Sequence, residues 1–230
     1  MLGRLMEIAS EGGLLLLLIT FIGLFVAAVI FVRALKVSKR DLAGRIVKGA
    51  LVWIGIYLGI LLATSFASSP KVLGLNEEKR FCGFYLDCHL AISVVNVSKT
   101  KTLGDPPSQA TAEGLYYVVS VKVSSNAVAA TLLLHNPLAT VLDEKGRKYG
   151  RSSDGERALE SAEGNAVLFS QPVQAGSSYI KDLVFDVPPD AMNPRLLATE
   201  GPWMERLIEL FIIGDEDSLF HKRTTIRLGS

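Results

Sequence analysis

Two cysteines, Cys82 and Cys88 in FCGFYLDCHL, are the residues best suited to covalent chemistry in this chain. An oxidising compartment would make them a disulfide candidate. A straight strand would hold them about 20 Å apart, whereas a disulfide needs Cα atoms within about 7 Å. Pairing therefore requires the segment to fold back near Gly83 or Asp87; free thiols are the alternative. Cys88-His89 lacks the C-x-x-C-H spacing of covalent haem attachment. His89, His135 and His221 lie on separate segments, without the close spacing that brings two imidazoles to one metal. Asp215, Glu216 and Asp217 lack the spaced ligands of a calcium loop and read as a solvated turn. Ser152-Ser153-Asp154 and Ser177-Ser178 offer hydroxyls but no nucleophile elbow. Asp182 and Asp186, four apart, share one side of a strand and read as surface groups. No glycine loop of the phosphate-cradling kind is present. These residues assign no catalytic, cofactor-binding or metal-binding site, and the expectation is a protein without cofactor that is not an enzyme.

The elements that must position any site divide into two kinds. Residues 12–32 (GGLLLLLITFIGLFVAAVIFV) and 49–69 (GALVWIGIYLGILLATSFASS) carry no charge. A helix of such length crosses a hydrocarbon core of about 30 Å. The connector, residues 33–48, holds Arg33, Lys36, Lys39, Arg40, Arg45 and Lys48 against Asp41 alone. Short basic loops stay cytoplasmic, so the expectation is a transmembrane hairpin with both ends outside. A cleaved signal peptide fits the first run less well, since its basic cluster follows the apolar stretch instead of preceding it. Gly55, Gly59 and Ala63, with Gly23 and Ala27, form small-residue stripes. Such stripes suit close packing within the hairpin or against a partner, or they reflect the ordinary composition of membrane helices. Trp53 reads as an interfacial anchor.

Beyond residue 69 the pattern changes to short segments rich in Val, Ile and Tyr between turn clusters. Strands are predicted at His89–Val97, Gly114–Ser124, Ala130–Asn136, Leu138–Asp143, Ser178–Val187, Arg206–Ile213 and Leu219–Leu228; Arg206–Ile213 is also apolar enough for a helix, but its Ile content and the Gly214-Asp215 turn favour a strand. Alternation is clearest where Val119, Val121 and Val123 oppose Val118, Ser120 and Lys122. Pro106-Pro107 and Asp190–Pro202 read as long connections, and SSDGE (152–156) as a turn. Frequent turns without a helical period predict a β-sandwich. Residues 1–69 carry seven Lys/Arg and three Asp/Glu, the remainder seventeen and twenty. The chain as a whole has a net charge of +1, which excludes a generic basic nucleic-acid binder.

The run ATVLDEKGRKYGRS, followed by QPVQAGSSYIKDLVFDVP, resembles an uncharacterised family of bacterial extracytoplasmic immunoglobulin-like domains, often membrane-anchored and related to secreted mycobacterial immunogenic β-sandwich proteins. The matching residues are Asp143, Gly146, Tyr149, Pro172, Gly176, Val184, Phe185, Asp186, Val187 and Pro188, and the likeness covers residues 90–228. It implies a fold and a location, and no chemistry. The fold expected is thus an all-β immunoglobulin-like sandwich preceded by a two-helix transmembrane hairpin. Its parts are an outer tail (1–11), the hairpin (12–69), a linker (70–80) and the extracytoplasmic, for a Gram-negative envelope periplasmic, sandwich (81–230). The function expected is a membrane-anchored interaction or structural accessory module, in contact with membrane lipid and a protein partner or complex. An envelope ligand or stress sensor is the alternative, and no nucleic acid or small-molecule substrate is assigned.

Overall fold

The computed structural model describes residues 2–81, 88–164, 167–201 and 207–229. The chain divides into two compact units, Met1–Ser69 with Met204–Lys222, and Pro70–Trp203 with Arg223–Ser230.

The first unit is built on α1 (Leu2–Lys36) and α2 (Arg40–Ala67). Both contain stretches long and apolar enough to cross a membrane, Gly12–Lys36 and Arg40–Ala67. Their large side chains, among them Phe21, Ile22, Phe25, Leu51, Val52 and Ile56, are exposed, as a lipid-facing surface requires and a water-facing one does not. The connector is mostly helical: only residues 37–39 lie outside α1 and α2, so Arg33 and Lys36 close one helix while Arg40, Arg45 and Lys48 belong to the next. The seam between the helices uses Trp53, whose Nε1 donates to Thr20 Oγ1 at 3.2 Å. Thr20 in turn donates to Leu16 O at 2.8 Å. Trp53, expected as an interfacial anchor, is therefore an interhelical donor.

The second unit is a two-layer sandwich. One sheet joins β1 (Val72–Leu73), β9 (Thr225–Arg227), β8 (Arg195–Thr199), β5 (Leu138–Leu142) and β6 (Lys148–Tyr149) in that order. The other runs β2 (Lys79–Phe81), β3 (Leu90–Leu103), β4 (Ala110–Ser125) and β7 (Ser178–Val187). All the pairings are antiparallel except β1 with β9. The core between the layers takes alternate residues of each strand: Ile92, Val94, Val119, Val121, Val123, Leu183, Phe185 and Val187 from one sheet, Val141, Leu196, Ala198 and Ile226 from the other. Period-two patterning thus places the inner face as expected.

The outer face of β4 and β7 is not all polar. Tyr116, Val118 and Val184 form a second cluster with Ala112 and Leu159, beneath α3 (Ser153–Glu163). The sandwich is therefore not all-β. The Ser-Asp-Gly run expected to be a turn is instead the start of this helix: Ser152 Oγ caps it by accepting from Gly155 N at 3.2 Å, and Gly164 N closes its last turn on Glu160 O at 3.0 Å. The polar start, the buried Ala158 and the half-buried Leu159 fit an amphipathic helix laid on a sheet.

Further differences have local causes. Of the strand expected at Ala130–Asn136, one bridge forms, Leu132 with Val173; Asn136 has a positive φ and Pro137 follows without an N–H to donate. Asp190–Pro202 is not a bare connection, since Arg195–Thr199 is a strand with Leu196 and Ala198 turned inward. The strand expected at Leu219–Leu228 narrows to Thr225–Arg227. Strands β1 and β2 reach into the stretch 70–80 read as a linker. Within Arg206–Ile213, also expected as a strand, residues 207–209 are helical and turns follow, with Phe211 N bonded to Ile208 O and Ile212 N to Glu209 O, both at 3.0 Å; Arg206 lies outside the described residues.

Candidate functional site

The groups that could act divide between the helical unit and the sandwich. In the helical unit, residues 207–222, an insertion between β8 and β9, pack on α1 and α2. Ile212 joins Leu17 and Tyr57 in a buried cluster, flanked by Leu14, Leu16, Ile208 and Ile213. Tyr57 OH donates to Phe211 O, the Ser65 and Ser218 hydroxyls meet at 3.3 Å, and Lys222 N donates to Ser68 Oγ at 3.0 Å. Gly13 makes room for this, because a Cβ there would fall 2.0 Å from Ile213 O. None of these contacts was read from the sequence. A run such as IELFIIG carries a strong apolar signal but names no partner.

The small-residue positions lie elsewhere. A Cβ at Gly23, Gly55 or Gly59 would meet nothing within 4 Å, so these glycines are not at the seam between α1 and α2. Ala63 is likewise exposed, and Ala27 partly so. Their stripes remain open on the outer surface of the helices.

In the sandwich, Asp186 governs the place where β4 departs from its ladder. Between the pairs Thr100 with Tyr116 and Thr102 with Thr111, a single β3 residue faces residues 112–115 of β4. The amides released there are taken up by Asp186: Oδ2 accepts from Glu113 N at 2.7 Å and Oδ1 from Gly114 N at 2.9 Å. Lys101 Nζ donates to the carbonyls of the same two residues, each at 2.9 Å. Only glycine fits at 114, where a Cβ would lie 2.3 Å from Val187 O. Asp182, on the same side of β7, accepts from Ser120 Oγ. The sequence reading placed this pair correctly on one side of a strand, but the two carboxylates bind neighbouring groups and are not free surface charges.

A second cluster locks the β5–β6 turn. The Asp143 side chain is 1% exposed and meets Arg147 Nε at 2.6 Å; it also accepts from Arg147 N at 2.9 Å and Tyr149 OH at 3.2 Å. Burial pushes the Asp143 carboxyl up, but the bonds from Arg147 and Tyr149 outweigh it and hold it below the usual carboxylate range. Arg147 Nη1 reaches Asp190 at 2.8 Å, and that bond holds the Asp190 carboxyl low too. Under α3, Lys181 is buried and donates to Glu160 Oε1 at 2.6 Å, while Arg151 grips Glu156 through two bonds of 2.7 Å. Glu156, Glu160, Lys181 and Asp182 line a small hollow with Leu159, Val167 and Ile180. Each charged group in it is already engaged in a structural bond, so the hollow presents no reactive side chain.

Of the residues weighed for chemistry, His89 Nδ1 lies 2.8 Å from Asn126, and Asp217 N bonds back to Asp215 Oδ1 at 2.8 Å within its turn. Among the described residues, no group of three His, Cys, Asp or Glu side chains comes together to hold a metal ion. Cys82 lies outside the described residues, and with it the pairing considered for Cys82 and Cys88.

Fold and site together define a two-sheet β-sandwich bearing one helix, joined to a pair of long apolar helices. No family model and no curated protein matches the sequence. Among solved structures, the chain is similar to a conserved hypothetical protein from Bacillus anthracis, at 11% identity and a TM-score of 0.44, covering 55% of this chain and 89% of that one. It is similar also to the yjhA protein of Bacillus subtilis, at 10% identity and a TM-score of 0.42, over 68% and 99% of the two chains. A third is the secreted protein MPT63 of Mycobacterium tuberculosis, at 13% identity and a TM-score of 0.39, over 60% and 95%.

Proposed function

We propose that this chain is a membrane-anchored accessory module that displays an immunoglobulin-like sandwich outside the cytoplasm and joins a larger membrane complex. The observation that carries this reading is the surface of α1 and α2: two apolar helices whose large side chains are exposed, with a basic connector at one end. Such a surface is stable only when lipid or another helix covers it. The open glycines at 23, 55 and 59 favour a helix for part of it, since small residues allow backbones to approach where van der Waals packing drives association. The sandwich, whose clustered charges serve its own turns and strands, supports display and contact; no reaction is assigned to it.

Extraction of the tagged full chain in mild detergent tests this. A co-purifying membrane protein at fixed stoichiometry, lost when Gly55 and Gly59 are both replaced by Leu, is the expected result. A parent chain that runs as a bare monomer in its micelle, or a double variant that keeps the partner, would reject the role given to these glycines.

A further inference from the structure

We propose that residues 207–220 form a re-entrant segment that enters the outer leaflet beside α1 and α2 without crossing it, its outer face covered by lipid acyl chains. The inference rests on the membrane reading above. Depth is the first argument. The Tyr57 hydroxyl that holds Phe211 belongs to a residue about 15 Å along the axis below Ala67, the last residue of α2. That is about half of a hydrocarbon core, so Phe211 and Ile212 reach far below the outer end of the helix. From there the segment returns: Ser218 meets Ser65, and Lys222 meets Ser68, both near that outer end.

The backbone is suited to this place. Irregular chain at membrane depth is tolerated only where its polar groups are satisfied within the protein. Here Phe211 N, Ile212 N, Asp215 N and Ser218 N all bond to carbonyls of the same segment, Leu219 N returns to Leu210 O at 3.0 Å, and Tyr57 takes up the Phe211 carbonyl.

Charge is sorted by depth as well. Between 207 and 214 the one charged residue, Glu209, is buried in the protein. Asp215, Glu216 and Asp217 fall on the returning limb, just before Ser218 and hence near the helix ends. What the segment does expose is apolar: Leu207, Phe211, Leu219 and Phe220, the last 61% exposed. This face continues the apolar surface of the spans, for the Phe220 ring stacks on Phe66 of α2 with centroids 5.6 Å apart. A surface continuous with the lipid-facing side of the helices, at the same depth and without exposed charge, is matched by acyl chains.

The test uses tryptophan fluorescence of the full chain in phosphatidylcholine vesicles, with and without bromine on the acyl chains. Trp203→Phe leaves Trp53, within α2, as the sole tryptophan; quenching of its emission by brominated lipid checks the membrane reading by itself. Phe211→Trp and Phe220→Trp are then made separately in a background where Trp53 and Trp203 are both Phe. The expected result is quenching of each new tryptophan at least as strong as that of Trp53, with little response to aqueous iodide. Phe220 is exposed, so its variant keeps the test open if Phe211→Trp fails to fold. Quenching of Trp53 alone, with both new tryptophans open to iodide, overturns the re-entrant segment and spares the anchor. Absence of quenching at all three positions overturns both.

Discussion

Carboxylates account for much of the specific local geometry in the sandwich, and Asp143 shows how. It is buried, yet its bonds from Arg147 and Tyr149 favour the ionised form enough to keep its pKa low despite burial. A carboxyl whose folded pKa is depressed stabilises the fold fully above its unfolded value of about 3.9, and that contribution is lost as pH falls through the folded value. Asp143→Asn is therefore expected to lower the melting temperature of the detergent-solubilised chain near neutral pH. The gap between variant and parent should narrow as the pH drops below about 4, where the unfolded chain takes up its proton first, and close once the folded Asp143 carboxyl is protonated at its lower value. Circular dichroism melts across the acid range check this, and a constant gap would show that the charge of Asp143 is irrelevant.

At the scale of elements, the capping of α3 supplies the next expectation. Ser152→Ala removes the acceptor of Gly155 N, and loss of such a cap costs about 1 kcal/mol. Urea unfolding should show a lower midpoint with unchanged slope; an unaltered midpoint would mean that the Ser152 cap contributes nothing to stability. This helix also marks the limit of what the sequence discloses. Ser152, Asp154, Glu156 and Gly164 are all helix-boundary signals, but Ser, Asp and Gly are turn formers too, and a short helix resting on a sheet has little period to separate the two. Strand β7 was legible because SYIKDLVFDV is rich in Tyr, Ile, Val and Phe and is bounded by the QAGS turn and Pro188, and it matches Ser178–Val187. Strand β8 was not: five residues between Pro194 and Pro202 carry too little pattern. The segment after residue 206 misled for a different reason. Its Ile and Phe favour a strand, but tertiary context overrides such a propensity; here Leu17 and Tyr57 pack on Ile212, and the Tyr57 hydroxyl takes the Phe211 carbonyl. The apolar helices could be read from the absence of charge alone, whereas the contact of Phe211 with Tyr57 joins positions too distant in the chain for any local pattern to report.

For the whole molecule, the governing quantity is the cost of moving charge across lipid. The connector region concentrates six basic residues against Asp41 within 33–48, and carrying such a cluster through the bilayer is what the positive-inside tendency opposes. On the reading proposed above, both helices leave on the far side and residues 70–230 follow them, since the chain passes between the two units at 69/70, 203/204 and 222/223. Protease added to intact spheroplasts is expected to cut within 70–203, while the connector becomes accessible only after lysis. Cys82 and Cys88 give a second readout from the same compartment: if they pair there, maleimide attaches to them only after a reductant is added. A connector cut from outside while residues 70–230 stay intact would reverse the topology. The sandwich would then lie on the cytoplasmic side, and the inner leaflet would be the only one the re-entrant segment could enter.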